Sequence, residues 1–169
     1  MPARDRFRLV SAWVPVLIWA AVIWILGSDP WSAPQTSRIL GPLLDWLCPG
    51  LDALDRDEIV NGIRKLAHPA VYGLLVLLAL RALELTTRLR SLAMAATALG
   101  AATAIATADE VRQAASGVRT GAVGDVLLDV GGSLTAIVLW LAIEHALGRR
   151  IFVRGTAREQ SERSSAARL

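Results

Sequence analysis

Long apolar runs alternate with short charged segments along this chain, and the runs are long enough to cross a membrane. A spanning helix needs about 20 mostly apolar residues. Four stretches meet this requirement, at about residues 9–27, 66–83, 92–110 and 125–147. The pattern therefore predicts an all-α, polytopic membrane protein with four transmembrane helices in one bundle.

A soluble four-helix bundle is the alternative that the same helices would allow. Each of its helices would need a polar stripe facing water, and the runs that begin at Leu9 and Leu92 have none. The hydrophobic share of 54% also exceeds that of an ordinary soluble domain. The first run is longer than a signal-peptide core and no good cleavage site follows it, so we expect a retained helix.

Basic residues predict the orientation. Lys and Arg in short loops favour the cytoplasmic side, and 12 of the 18 lie within residues 4–8, 81–90 and 149–168. Both termini, residues 1–8 and the basic tail 148–169, are therefore predicted to be cytoplasmic. The tail is Ser-rich and charged, which is typical of a disordered segment.

The same orientation places the loop 28–65 outside. Its first part is rich in turn residues, and its second part, RILGPLLDWLCPGLDAL, reads as a short amphipathic piece. That piece could lie on the outer surface of the bilayer or cap a polar site from above, and the sequence leaves both open.

Composition limits the chemistry further. Cys48 is the single cysteine, which excludes an intramolecular disulfide and a Cys-rich metal site. The basic residues lie where membrane topology would put them, so no nucleic-acid partner is expected. The sequence leaves the oligomeric state open.

Small residues recur in the third span. Ala96, Gly100, Ala104 and Ala108 are four residues apart, which predicts a smooth stripe for close helix packing. Gly131 and Gly132 are expected to serve the fourth span in the same way.

Polar side chains gather at the ends of the second, third and fourth spans. Arg64, His68 and Tyr72 are spaced by four residues and share one helix face, with Lys65 on its edge.

The other two span ends repeat this arrangement. In the third span Asp109 and Gln113 are four apart, with Glu110 beside them. In the fourth span Asp125, Asp129 and Gly132 fall on one face.

These three faces lie on the same predicted side of the membrane. A charged group that faces lipid costs at least about 2.5 kcal/mol, so we expect the polar faces to turn inward and form one pocket just inside the outer interface. Its predicted floor is Tyr72 and Asp129. Its predicted rim consists of Lys65, His68, Asp109, Glu110, Gln113, Arg119 and Asp125.

The segments RKLAHPAVYGLL and DEVRQAASGVRTGAVGDVLLDVGG resemble the VanZ-like family, small bacterial membrane proteins named after an accessory teicoplanin-resistance factor. SDPWSAPQTS, after the first span, resembles a further family stretch. The sequence departs from the family pattern at Pro69, where an aromatic residue is usual, and at ASGV before Arg119. The resemblance implies a multi-pass protein of the bacterial cytoplasmic membrane with a link to the cell envelope or glycopeptide resistance, and it implies no established reaction.

Two hypotheses for a functional site follow. In the first, Arg64, Lys65 and Arg119 hold the phosphate of an anionic lipid or lipid-linked envelope precursor. In the second, the protein is a membrane enzyme in which His68, with Glu110 or Asp109, transfers protons. His68 and carboxylates could also hold a divalent cation, although no recognised metal spacing is present and no cofactor is otherwise expected.

Two further alternatives remain. The charges could form an ion-pair network that only fixes helix packing, with Lys65, Arg119 and the aspartates as partners. Transport has least support, because the spans show no break and no polar residue at mid-depth.

Overall fold

The computed structural model describes residues 3–28, 33–115 and 123–147, and these residues fold into five helices. The tail 148–169 and Arg119, for which the sequence made predictions, lie outside them. In chain order the helices are α1 Ala3–Leu26, α2 Ala33–Leu47, α3 Ala53–Thr86, α4 Ser91–Ala115 and α5 Val123–Ala146. The prediction of an all-helical fold is confirmed.

Four of the helices, α1, α3, α4 and α5, are long and apolar enough to cross a membrane. The mean hydropathy of their most apolar windows is 2.3, 1.7, 1.5 and 2.1. Large apolar side chains such as Leu17, Ile18 and Val138 remain more than half exposed on the outer faces, which suits a surface in contact with lipid. Four spans were predicted, and four are present.

The helix of the second span is much longer than the apolar window that predicted it. With 34 residues, α3 is about 51 Å long, against about 30 Å of hydrocarbon in a bilayer. Its start is fixed by Asp52, whose carboxylate accepts a hydrogen bond from the Asp55 amide at 2.8 Å. The segment 53–65, predicted as part of the outer loop, is therefore the first third of this helix.

α3 is the central helix, since α1, α2, α4 and α5 all pack against it. Val76 and Leu80 are completely buried at its middle. Two indoles of α1 are joined to it: Trp19 Nε1 donates to the Val71 carbonyl at 2.9 Å, and Trp13 Nε1 donates to the Thr86 hydroxyl at 3.3 Å. These bonds hold α1 against α3, with the two helices antiparallel.

The packing stripe of α4 differs from the predicted one. Ala98, Ala102 and Ala106 are buried, whereas all four members of the predicted stripe are exposed, namely Ala96, Gly100, Ala104 and Ala108. The helix is Ala-rich on every side, so its small residues cannot select a face. The buried stripe is the one that continues into the polar residues at the end of α4.

α2 packs on the first third of α3. Gly41 is buried there, and the Arg56 guanidinium forms an ion pair with Asp45. Its apolar side chains Leu43 and Trp46 remain exposed. α2 therefore lies beside the extension of α3.

Candidate functional site

A cavity of about 210 Å³ lies where one end of α1 meets α3 and α4. Most of its surface is apolar, and the polar groups on it come from α3 and α4. The lining residues are Ile23, Leu26, Gly27, Arg64, Ala67, His68, Val71, Tyr72, Asp109 and Gln113.

The polar wall on α3 follows from helical spacing. Arg64, His68 and Tyr72 recur every four residues and all three line the cavity. Pro69 lies between them and has no N–H, so the carbonyl four residues earlier loses its helical partner.

The ring of His68 is held from behind by a carboxylate of α5. His68 Nδ1 and Asp129 Oδ1 are 3.0 Å apart, and Asp129 is only 2% exposed. Ser133, one turn further along α5, donates to the Asp129 carbonyl oxygen at 2.8 Å. Because Nδ1 is engaged, Nε2 is the ring atom that remains for a ligand in the cavity.

A second polar assembly closes the junction of α1 and α4. Arg112 donates to Asp109 at 2.5 Å and to the Trp24 carbonyl at 3.0 Å, and its guanidinium stacks 4.3 Å above the Trp24 ring. Gln113 also donates to Asp109, at 2.7 Å. We refer to Arg112, Asp109 and Trp24 together as the Arg112 clasp.

Gly27 is needed at the clasp. A β-carbon on this residue would overlap the Asp109 carboxylate and the Arg112 guanidinium. A glycine here lets the end of α1 approach α4 closely enough for the clasp to form.

The Tyr72 hydroxyl is the one polar group of the cavity wall that is buried without a hydrogen bond among the described residues. Tyr72 is 3% exposed, and its surroundings include the charges of Asp129, Asp109 and Glu110. Buried hydroxyls normally have a partner, because an unsatisfied one costs about 1–3 kcal/mol. The hydroxyl is therefore a buried donor that lacks an acceptor among the described residues.

α3 and α5 cross very closely beside this site. A β-carbon on Gly132 would overlap backbone atoms of Pro69, and one on Gly73 would lie 3.3 Å from the Gly132 carbonyl oxygen. The close crossing brings Asp129 within hydrogen-bonding distance of His68. Of the predicted packing glycines, Gly132 is at the contact, whereas Gly131 is exposed.

Five of the predicted site residues line the cavity: Arg64, His68, Tyr72, Asp109 and Gln113. The others lie elsewhere. Asp129 lies behind His68 instead of on the floor, and Glu110 is buried without lining the cavity. Lys65 is exposed and Asp125 half-buried, and neither reaches the wall.

Sequence reasoning did not assign Arg112 and Trp24 to the site. The spacing of three between Asp109 and Arg112 was available as a signal. The contact of Trp24 with Arg112 joins positions 88 apart, which no local pattern reveals.

Metal ligation has no geometric support within residues 3–28, 33–115 and 123–147. No group of three or more His, Cys, Asp or Glu side chains there is arranged to hold a metal ion.

A comparison with protein families gives one match. A family model described as VanZ/LLP1 matches residues 12–144, which include α3 and α4 in full, most of α1 and α5, and the whole cavity. No curated protein and no solved structure matches the chain.

Proposed function

Because this chain belongs to the VanZ/LLP1 family of membrane proteins, we propose that it binds the anionic headgroup of a membrane lipid or lipid-linked envelope precursor in the cavity between α1, α3 and α4. The proposed location is the cytoplasmic membrane of a bacterium, with the cavity on the extracytoplasmic side.

Hydrogen-bonding capacity supports an anionic ligand. Arg64 brings a guanidinium to the cavity wall and Tyr72 brings a hydroxyl. Among the described lining residues the carboxylate is that of Asp109, which already accepts from Arg112 and Gln113. Phosphate oxygens are the acceptors that guanidinium and hydroxyl groups bind best, and the wall carries one of each.

The observation that carries the proposal is the Tyr72 hydroxyl, which is buried and has no partner among the described residues. A phosphate oxygen in the cavity would supply that partner. A network that only fixes helix packing would gain nothing from this hydroxyl, since phenylalanine would fill the same space without the cost of an unsatisfied group.

The test is Tyr72→Phe. We expect the protein purified in mild detergent to retain phosphatidylglycerol, measured by native mass spectrometry, and the variant to lose about 90% of it or more, because a hydrogen bond to a charged group contributes about 1.5–3 kcal/mol. Ser133→Ala is the control. It also removes a buried hydroxyl, but one that is satisfied by a backbone carbonyl outside the cavity.

The proposal would be contradicted if Tyr72→Phe retained as much phosphatidylglycerol as Ser133→Ala. Retention that falls equally in both would show that any loss of buried polar structure has the same effect, and the ion-pair network would then explain the cluster.

The His68–Asp129 pair favours a second candidate, a membrane enzyme that acts on the bound headgroup. A buried carboxylate that fixes Nδ1 leaves Nε2 oriented as a general base, the arrangement found in hydrolytic enzymes. Incubation with phosphatidylglycerol vesicles, followed by mass spectrometry of the extracted lipids, would reveal a product that is absent with His68→Gln. An unchanged lipid profile over many hours would argue for binding alone.

We also propose that headgroup binding serves the cell envelope and contributes to teicoplanin resistance. The family resemblance supports this role. Expression in a teicoplanin-susceptible host should raise the minimal inhibitory concentration, and Tyr72→Phe should abolish the increase at equal protein level. No increase with the unmodified protein would exclude the role in that host.

A further inference from the structure

The rim of the cavity differs in chemistry from its interior. The polar lining residues are buried or half-buried: Tyr72, Asp109 and Gln113 are 3%, 5% and 8% exposed. The lining residues that remain exposed are apolar, namely Leu26 on α1, at 40%, and Ala67 on α3. We call the gap between these two the apolar mouth.

Resting on the proposed function, we propose that the ligand enters sideways from the bilayer through the apolar mouth. The ligand is then an amphiphile whose headgroup lies in the cavity while its apolar chain leaves between Leu26 and Ala67 into the membrane. A water-soluble phosphate compound lacks the chain that this mouth accommodates.

The surface next to the mouth supports a path into lipid. Ile25 beside Leu26 and Leu66 beside Ala67 are 57% and 73% exposed. Exposed apolar side chains on a membrane-spanning helix face hydrocarbon. An acyl or prenyl chain that left the mouth would thus continue along an apolar surface.

The size of the cavity also supports a ligand whose apolar chain stays in the membrane. A volume of about 210 Å³ corresponds to about seven water molecules at about 30 Å³ each, which accommodates a phosphate and a few attached atoms. It is below the range of about 300–1,000 Å³ that is usual for sites enclosing a drug-sized ligand. A lipid can therefore place only its headgroup inside, and its chains must remain outside.

The Arg112 clasp closes the neighbouring side. It joins the end of α1 to α4 through the Trp24 carbonyl and the buried carboxylate of Asp109. Among the described residues α1 and α4 are joined there, and α1 is bonded to α3 at Val71. The apolar mouth is the approach to the cavity that the exposed lining residues mark.

The test uses nanodiscs of phosphatidylcholine that contain phosphatidylglycerol, with retained phosphatidylglycerol measured by native mass spectrometry. On the unmodified protein, a large excess of sn-glycerol 1-phosphate, the free headgroup, should leave the lipid in place. Ala67→Trp should narrow the mouth and lower retention about tenfold, the effect of excluding about two methylene groups from contact. Ala70→Trp, the same change at an exposed position on α3 outside the cavity, should have no effect.

Displacement by sn-glycerol 1-phosphate would overturn the inference, and so would equal retention in Ala67→Trp and Ala70→Trp. In both cases loss of lipid in Tyr72→Phe would leave the headgroup site standing. If the unmodified protein retains no phosphatidylglycerol, the proposed function fails together with the inference. The competition arm needs no variant, so a folding defect in Ala67→Trp would not remove the test.

Discussion

The crossing of α3 and α5 makes a sharp prediction about two adjacent glycines. Gly132→Ala places a β-carbon against the backbone of Pro69, 2.6 Å from its carbonyl carbon and still nearer to two other backbone atoms. Backbone atoms cannot rotate away as a side chain can, so the helices must separate. Gly131→Ala adds the same methyl group where no atom lies within 4 Å.

The contacts give the magnitude. Restoring an ordinary carbon–carbon contact of about 3.5–4.0 Å requires a separation of about 1 Å or more. Overpacking of this kind costs about 1–3 kcal/mol. The same movement would lengthen the 3.0 Å contact between His68 and Asp129 to about 4 Å, beyond hydrogen-bonding range. Gly131→Ala should be neutral or stabilise by up to about 1 kcal/mol, since alanine has the higher helix propensity.

Reversible unfolding by sodium dodecyl sulfate in mixed micelles, followed by circular dichroism, would measure the difference. We expect Gly132→Ala to be less stable than Gly131→Ala by about 1–3 kcal/mol, because the gain in helix propensity is common to both variants. Equal stability of the two variants would refute the close crossing and, with it, the account of how His68 is positioned.

Three further predictions follow from single contacts. Arg112→Gln should destabilise the protein by about 1–3 kcal/mol, because the buried carboxylate of Asp109 loses its cation. The same change at Arg56, in a more exposed ion pair, should cost at most about 1 kcal/mol. Chemical unfolding of the two variants would measure the difference. Trp19→Phe loses the hydrogen bond between α1 and α3 and should lower stability by about 1 kcal/mol. Trp46→Phe, at a position that is 77% exposed, should change stability by no more than about 0.5 kcal/mol. Equal effects of the two changes would contradict the α1–α3 hydrogen bond. Cys48, the single and exposed cysteine, should react with a membrane-impermeant maleimide on intact cells, and labelling only after permeabilisation would reverse the predicted orientation.

The sequence predicted the four spans because apolar length alone determines them. It predicted the polar wall of α3 for a similar reason, since spacing by four residues fixes a helix face whatever the helix packs against. Arg64, His68 and Tyr72 therefore lie together on the cavity wall as expected.

Features that depend on contacts between two helices could not be predicted from the spacing of residues along one helix. The place of Asp129 behind His68 depends on the Pro69–Gly132 crossing. The buried side of α4 depends on its neighbours, because an alanine-rich helix has no preferred face. The extension of α3 beyond its apolar window depends on polar residues that hydropathy does not count.

The Arg112 clasp also has a consequence for how the chain is made. Its two ends lie 88 residues apart, which is about 4–18 s of synthesis at about 5–20 residues per second. For that time α1 must rest in the membrane without the partner that anchors its end, which its uncharged apolar run allows at little cost. The carboxylates at the end of α4 cannot lie unpaired in the bilayer at so little cost. We therefore expect them to insert together with Arg112, which follows Asp109 by three residues. The cavity would thus be completed late in membrane insertion, when α1 is already surrounded by lipid. A lipid could therefore occupy the site from the moment it forms.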